Sequence, residues 1–289
     1  MLTNGKEIIK AAREGGYGIG AFNISDAYGV EIVLTASEEL CTPVILQIGD
    51  LTNPSPENRR MSPSEAKYFI RYLRDRAEAS SVPVIIHLDH CPTFDGCVRA
   101  INNGATSIMI DASMKPFAEN VAMTKKVVEI GAACDVTVES EIGHVTGHAN
   151  STGNVYTTVE EAKAFYEATG VDMLAVSIGT VHGVYTSEPV LQYDLIKDLR
   201  DAIPCPLVMH GSSGLTGEQF QNAVKNGIVK INFATYLQLN VGEAIRAAAL
   251  AAKPNDARMG ALLGAGKKRG VEYVKEHIGY FGTKSICCC

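Results

Sequence analysis

The chain has 289 residues, 46% of them hydrophobic and none of them tryptophan, which is enough for one large α/β domain with a full core. Its net charge of −6, without a basic stripe, excludes nucleic acid as the main partner. Short, interrupted apolar runs exclude a membrane span, and the absence of a long apolar stretch over residues 1–10 predicts no secretory signal and a cytoplasmic location.

In chain order, strand-like runs rich in Val, Ile, Leu or Met are expected at 17–23 and 43–49, followed by an amphipathic helix at 62–79. Strands follow at 83–90 and 106–113, a helix at 119–130, a strand at 135–143 and a helix at 158–169. The last units are strands at 172–180 and 206–212, a helix at 216–226 and a strand at 228–235. Ser62-Pro63-Ser64-Glu65 and Thr158-Val159-Glu160-Glu161 open their helices with the capping-box pattern. Residues 244–275 read as extra helix beyond the eighth unit, and 283–289 as a flexible tail. Eight near-continuous apolar strands separated by helices predict a parallel sheet covered on both faces, hence a single α/β domain of the (β/α)8 TIM-barrel type over 1–289. An open doubly wound sheet is the alternative.

Three of these strands end in a histidine: Leu88-Asp89-His90, Val181-His182-Gly183 and Met209-His210-Gly211. Three imidazoles at the carboxyl ends of separate barrel strands form the donor set of a catalytic zinc site with one position left open. His87, on the same strand face as Asp89, reads as structural rather than ligating. Glu139 and Glu141 share one face of the fifth strand, where they could orient the histidines, offer a second metal position, or form a buried pair bonded to neighbouring polar groups. Asp111 ends the fourth strand, either as a partner of such groups or as a structural polar residue. Gly211-Ser212-Ser213-Gly214 lies between the seventh strand and the helix starting near Thr216, a place where backbone N–H groups bind phosphate. Asn232 and Thr235 of the eighth strand border the same loop. Of the eight cysteines, five are scattered without metal spacing and read as reduced thiols in or near the core. Cys287, Cys288 and Cys289 do not form a prenylation box.

Together, Gly20-Ala21-Phe22-Asn23, Leu88-Asp89-His90, Met109-Ile110-Asp111-Ala112-Ser113, Glu119-Asn120, Val138-Glu139-Ser140-Glu141-Ile142-Gly143, His182-Gly183-Val184-Tyr185, His210-Gly211-Ser212-Ser213-Gly214 and Lys230-Ile231-Asn232 resemble the class II, metal-dependent fructose- and tagatose-bisphosphate aldolases. The resemblance implies zinc on His90, His182 and His210, exchangeable for cobalt or manganese, with Asp111 and Glu141 as accessory acids of the metal site and a monovalent cation as a further candidate. It implies that Asp89 exchanges the proton of the ketose C4 hydroxyl. It implies that Asn23, Gly183, Gly211, Ser212, Ser213, Asn232, Ala234 and Thr235 hold dihydroxyacetone phosphate, in a homodimer or homotetramer. Retro-aldol cleavage builds negative charge that a metal stabilises, and a neighbouring carboxylate can take the departing proton.

Three departures from the family pattern bear on the substrate. The family's loop Glu corresponds to Ala149 in Thr146-Gly147-His148-Ala149-Asn150, so His148, or failing it His144, is expected as the base at the dihydroxyacetone phosphate carbon, on a lid over 145–156. Gly49 stands where relatives carry Ser. Asp256-Ala257-Arg258 replaces Asp-Pro-Arg, whose arginine, here Arg258, is expected to reach a second phosphate. Some divergent members of the family resemble this chain in the altered loop, and that resemblance implies longer or acidic sugar phosphates as substrates. Two other readings compete: a Schiff-base aldolase using Lys230, and a zinc-containing phosphosugar-binding protein without turnover.

Overall fold

The computed structural model describes residues 1–49, 63–143, 156–185, 187–253 and 255–286. Eight parallel strands close into a barrel in sequential order: β1 (Ile19–Asn23), β2 (Val44–Ile48), β3 (Val84–Cys91), β4 (Ser107–Ile110), β5 (Thr137–Ile142), β6 (Met173–Val176), β7 (Leu207–Met209) and β8 (Ile228–Phe233). Each pairs with its neighbours in parallel, and β8 returns to β1 through Ala21 opposite Asn232. All eight strands expected from the sequence are present, and the closed barrel replaces the open-sheet alternative.

The outer layer contains α2 (Ala27–Leu40), α3 (Pro63–Glu78), α4 (Phe94–Asn103), α5 (Phe117–Ala133), α6 (Val159–Thr169), α7 (Tyr193–Ala202) and α8 (Gly217–Asn226). Thr158 caps α6 by accepting from the Glu161 N–H, and Thr216 forms a full capping box with Gln219 at α8. The outward strand faces and inward helix faces share one core that includes Phe22, Leu46, Ile86, Ile108, Phe165, Phe220 and Phe233. No helix among the described residues is long and apolar enough to cross a membrane.

Before the barrel, α1 (Lys6–Gly15) closes its amino-terminal end with Ile9 and Ala12. The close fit requires Gly5: its φ is 78°, and a Cβ there would lie 2.3 Å from Ile85 Cδ1. After β8, the expected extra helix is two helices. The first, α9 (Thr235–Ala251), starts directly at the strand end, and the second, α10 (Met259–Tyr280), packs against α2 and α9. The single run expected from 244 spans this break, where Lys253-Pro254 disfavours helical continuation.

Candidate active site

The pocket at the carboxyl ends of the strands is lined by Asn23, Asp89, His90, His182, Gly183, Gly211, Ser212, Ser213, Asn232, Phe233, Ala234 and Thr235. Neighbouring residues of a regular strand point to opposite faces, so Asp89 and His90 should not both reach it. They do because the β3–β4 register shifts between Leu88 and Cys91 and His90 adopts a left-handed φ of 45°. Period-two reasoning cannot see this bulge.

The three histidines converge from β3, from the segment after β6 and from the end of β7. Their ring centroids are 5.1 Å (His90–His182), 4.6 Å (His90–His210) and 6.0 Å (His182–His210) apart. One nitrogen from each falls within a common 4.8 Å span. His90 Nδ1 lies 2.7 Å from Asp111 Oδ2, and His210 Nε2 lies 2.8 Å from Glu139 Oε1. A ring nitrogen facing a carboxylate carries the proton, which leaves His90 Nε2 and His210 Nδ1 as the two inner nitrogens, 2.8 Å apart. Two imidazole lone pairs at that distance repel unless a cation or a shared proton sits between them. The donor set therefore fits a borderline-soft divalent metal such as zinc. Glu141 Oε2 is 3.9 Å from His210 Nδ1, and His90, Asp111 and Glu141 form a second group with metal-ligand spacing.

Without a cation, burial disfavours charge on both inner rings. At His90 the carboxylates of Asp89, Asp111 and Glu141 overcome it and push the imidazole up to about 10. At His210 burial, reinforced by His90 and Lys230, holds the ring far below its ordinary range. Burial alone would raise Asp89, but His90, His210, Lys230 and the Asn23 N–H outweigh it and keep the carboxyl below its usual value.

Both oxygens of Asp89 are held. Asn23 Nδ2 donates to Oδ2 at 2.9 Å, and Asn232 Nδ2 to Oδ1 at 3.2 Å. Gln47 Nε2 in turn donates to Asn23 Oδ1 at 3.0 Å. Below the pocket, the fully buried Lys230 pairs with Glu139 Oε2 at 2.9 Å. His87 Nδ1 meets Ser107 Oγ at 2.8 Å and its Nε2 lies 3.6 Å from Glu139, in keeping with a structural role. Gln47 and Lys230 were not read from the sequence as supports of this site. The available signal was a lysine inside an apolar strand, which must find a partner when buried.

On the other side, Gly211 has φ 64°, and a Cβ there would stand 2.5 Å from Val181 O, so only glycine lets the β7 loop approach the His182 segment this closely. Tyr185 fixes the same contact: its hydroxyl donates to Gly211 O at 2.7 Å and accepts from Val181 N–H at 3.2 Å. Ser212 Oγ donates to Asn232 O, and Ser213 Oγ accepts from Ala234 N–H at 3.3 Å. The helix end bordering the pocket is that of α9, through Ala234 and Thr235, and Ala234 offers α9 no side-chain cap. The N-terminus of α8, expected to serve, uses its Thr216 and Gln219 N–H groups in its own capping box.

Of the residues singled out in the sequence, Asn23, Asp89, His90, His182, Gly183, Gly211, Ser212, Ser213, Asn232, Ala234 and Thr235 line the pocket, while His210, Asp111 and Glu141 adjoin it. Arg258 does neither: it is exposed, at the start of α10 and outside the pocket lining, because the 256–258 turn serves to begin that helix. His148, His144, Ala149 and residues 145–155 of the expected lid lie outside the described residues, as do Cys287–Cys289.

Residues 3–285 match the family described as fructose-bisphosphate aldolase class-II. The chain is 33% identical to the YdjI aldolase of Escherichia coli K12, with 98% of each chain covered and a TM-score of 0.85. It also matches the fold of the fructose-bisphosphate aldolase of Campylobacter jejuni at 23% identity, a TM-score of 0.80, and coverage of 97% of this chain and 95% of that one.

Proposed function

The chain belongs to the class II fructose-bisphosphate aldolase family and so carries out aldol cleavage and condensation, and from that premise we propose that it is a zinc enzyme acting on a ketose 1-phosphate or ketose bisphosphate, with dihydroxyacetone phosphate as one product. The observation that carries this reading is the pair of inner nitrogens, His90 Nε2 and His210 Nδ1, facing each other at 2.8 Å while Asp111 and Glu139 occupy their outer nitrogens.

His90, His182 and His210 would hold the ion, and Glu141 and Asp111 would offer it an alternative position. When bound, a divalent ion supplies Lewis-acid stabilisation of the negative charge that aldol cleavage places on oxygen. Asp89 takes the proton of the C4 hydroxyl as the C3–C4 bond breaks and returns it in condensation. Its two amide donors favour the ionised form that accepts the proton. The phosphate is bound at Gly183, Gly211, Ser213, Ala234 and Thr235, where the Gly-Ser loop and the α9 N-terminus offer donors and a positive dipole end. Lys230 is unsuited to Schiff-base chemistry, because its Nζ is held by Glu139 and Asn232 beneath the pocket.

The test is metal analysis of the purified protein with turnover assays on a panel of ketose 1-phosphates and bisphosphates, before and after chelation. About one zinc per chain, with cleavage lost on chelation and restored by zinc or cobalt, is expected. Full activity after complete metal removal, or borohydride trapping of substrate on Lys230, would overturn the reading. Tight zinc and dihydroxyacetone phosphate binding with no turnover on the panel would favour a binding protein.

A further inference from the structure

Lys230 is fully buried and does not border the pocket, and aldol chemistry gives it no direct part. Its Nζ lies 2.6 Å from Asn232 Oδ1 and 2.9 Å from Glu139 Oε2. An ammonium has only donors to offer, so the Asn232 atom facing it must be the oxygen. The amide nitrogen is thereby turned to the opposite side, where it donates to Asp89 Oδ1 at 3.2 Å. The two ends of an amide have nearly the same shape. Without the ammonium, only the Asp89 carboxylate and the long 3.3 Å contacts of Nδ2 with the His210 ring nitrogens would oppose reversal, and the amide oxygen would lose its partner.

The second support of Asp89 is built differently. Asn23 is oriented by Gln47, a neutral amide whose Oε1 has no hydrogen-bond partner among the described residues and whose own orientation rests on the contact it makes. A lysine cannot invert its polarity. Glu139 neutralises it and also holds His210 Nε2 at 2.8 Å, so one buried chain of contacts runs from His210 through Glu139, Lys230 and Asn232 to Asp89. Burying two charges costs solvation that a well-packed apolar pair of similar volume would avoid, so fold stability alone is a weak account of this ion pair.

Resting on the aldolase reading above, we propose that Lys230 is a positioning residue: it fixes the polarity of the Asn232 amide, which in turn holds the Asp89 carboxylate ready to receive the hydroxyl proton. Lys230 does not touch substrate, and its effect falls on the step that uses Asp89. Cleavage of the carbon–carbon bond needs that step. Hydrogen exchange between solvent and the dihydroxyacetone phosphate carbon does not.

The experiment compares the zinc-saturated wild type with Lys230→Met and with the charge-balanced double variant Lys230→Met/Glu139→Gln, which guards against failure of the single variant to fold. For each, kcat and KM for cleavage are measured beside the rate of hydrogen exchange at the dihydroxyacetone phosphate carbon. The ratio of cleavage to exchange should fall about tenfold to a hundredfold in both variants, the equivalent of one lost hydrogen bond to a charged group. KM should change by less than about threefold, because uniform substrate binding is untouched. Cleavage and exchange falling together would mark Lys230 as merely structural, and an unchanged ratio would equally overturn the inference. Those outcomes leave the aldolase reading standing. A wild type without chelator-sensitive cleavage would remove that reading, and this inference with it.

Discussion

The two halves of the barrel interior are built mostly from the same strands in opposite chemistry. Toward the amino ends the inward side chains are Ile19, Ala21, Ile45, Ile85, Met173, Ala175, Val208 and Val229, closed off by Ile9 and Ala12 of α1. One or two steps further along, β1, β2, β3, β7 and β8, joined by β5, present Asn23, Gln47, His87 and Asp89, Glu139 and Glu141, His210, and Lys230 and Asn232, nearly all buried. The lower half gains stability by removing apolar surface from water. In the upper half, polar groups are held mostly by others from different strands, which fixes their positions relative to one another. Barrel closure serves both, since it places eight strand ends around one point.

The comparison breaks if an upper-half change behaves like a lower-half one. The largest effect is expected for His210→Ala, which should abolish both bound zinc and turnover, read by metal analysis and cleavage assay, with the fold retained by circular dichroism. Asp89→Asn should retain zinc and slow carbon–carbon cleavage by about 10²–10⁴-fold, the usual worth of a general base, while hydrogen exchange at the dihydroxyacetone phosphate carbon persists. If exchange is lost as completely as cleavage, Asp89 is not confined to the hydroxyl proton.

Ile85→Ala should do the opposite. It should cost about 2–5 kcal/mol of unfolding free energy in denaturant titration and leave kcat per folded molecule unchanged. Ser213→Ala tests the anion side and should weaken a phosphoglycolate-type inhibitor by about 1.5–3 kcal/mol. Unchanged inhibition would place the phosphate elsewhere.

The smallest effect concerns a histidine outside the barrel. His277 of α10 sits among Phe220, Phe233, Tyr273, Tyr280 and Phe281, with its Nδ1 against Tyr273 O. Burial holds it below its ordinary range. The unfolded chain then binds the proton more readily than the folded one, so stability should fall as pH drops below about 6.5. His277→Phe should reduce the slope of stability against pH there by at most about 1.4 kcal/mol per pH unit, the limit for one proton.

Much of the upper half was legible because its residues stand at the ends of apolar runs: Asp89 with His90, His182, His210 and Asn232 are each placed by a strand that composition reveals. The contacts among them were not legible. Glu139 meets His210, and Lys230 bridges them to Asn232, only because β3, β5, β7 and β8 close around one axis, and sequence spacing carries no such register. The start of α9 was hidden because Thr235 reads equally well as the last residue of a strand and the first of a helix. Arg258 belongs to a turn in which Ala257 stands where relatives carry the proline that presets the backbone, and the sequence does not give its direction.

The bulge at the end of β3 has a mechanical consequence. The left-handed His90 turns two sequence neighbours into one pocket, so a candidate metal ligand and the acid beside it act from consecutive Cα atoms, about 3.8 Å apart by covalent geometry alone. When the barrel breathes, distances between groups on different strands fluctuate independently, whereas these two are carried together on one peptide unit. The proton carrier thus travels with its ligand as a single rigid tool, and thermal motion that loosens the rest of the pocket leaves that separation the least disturbed.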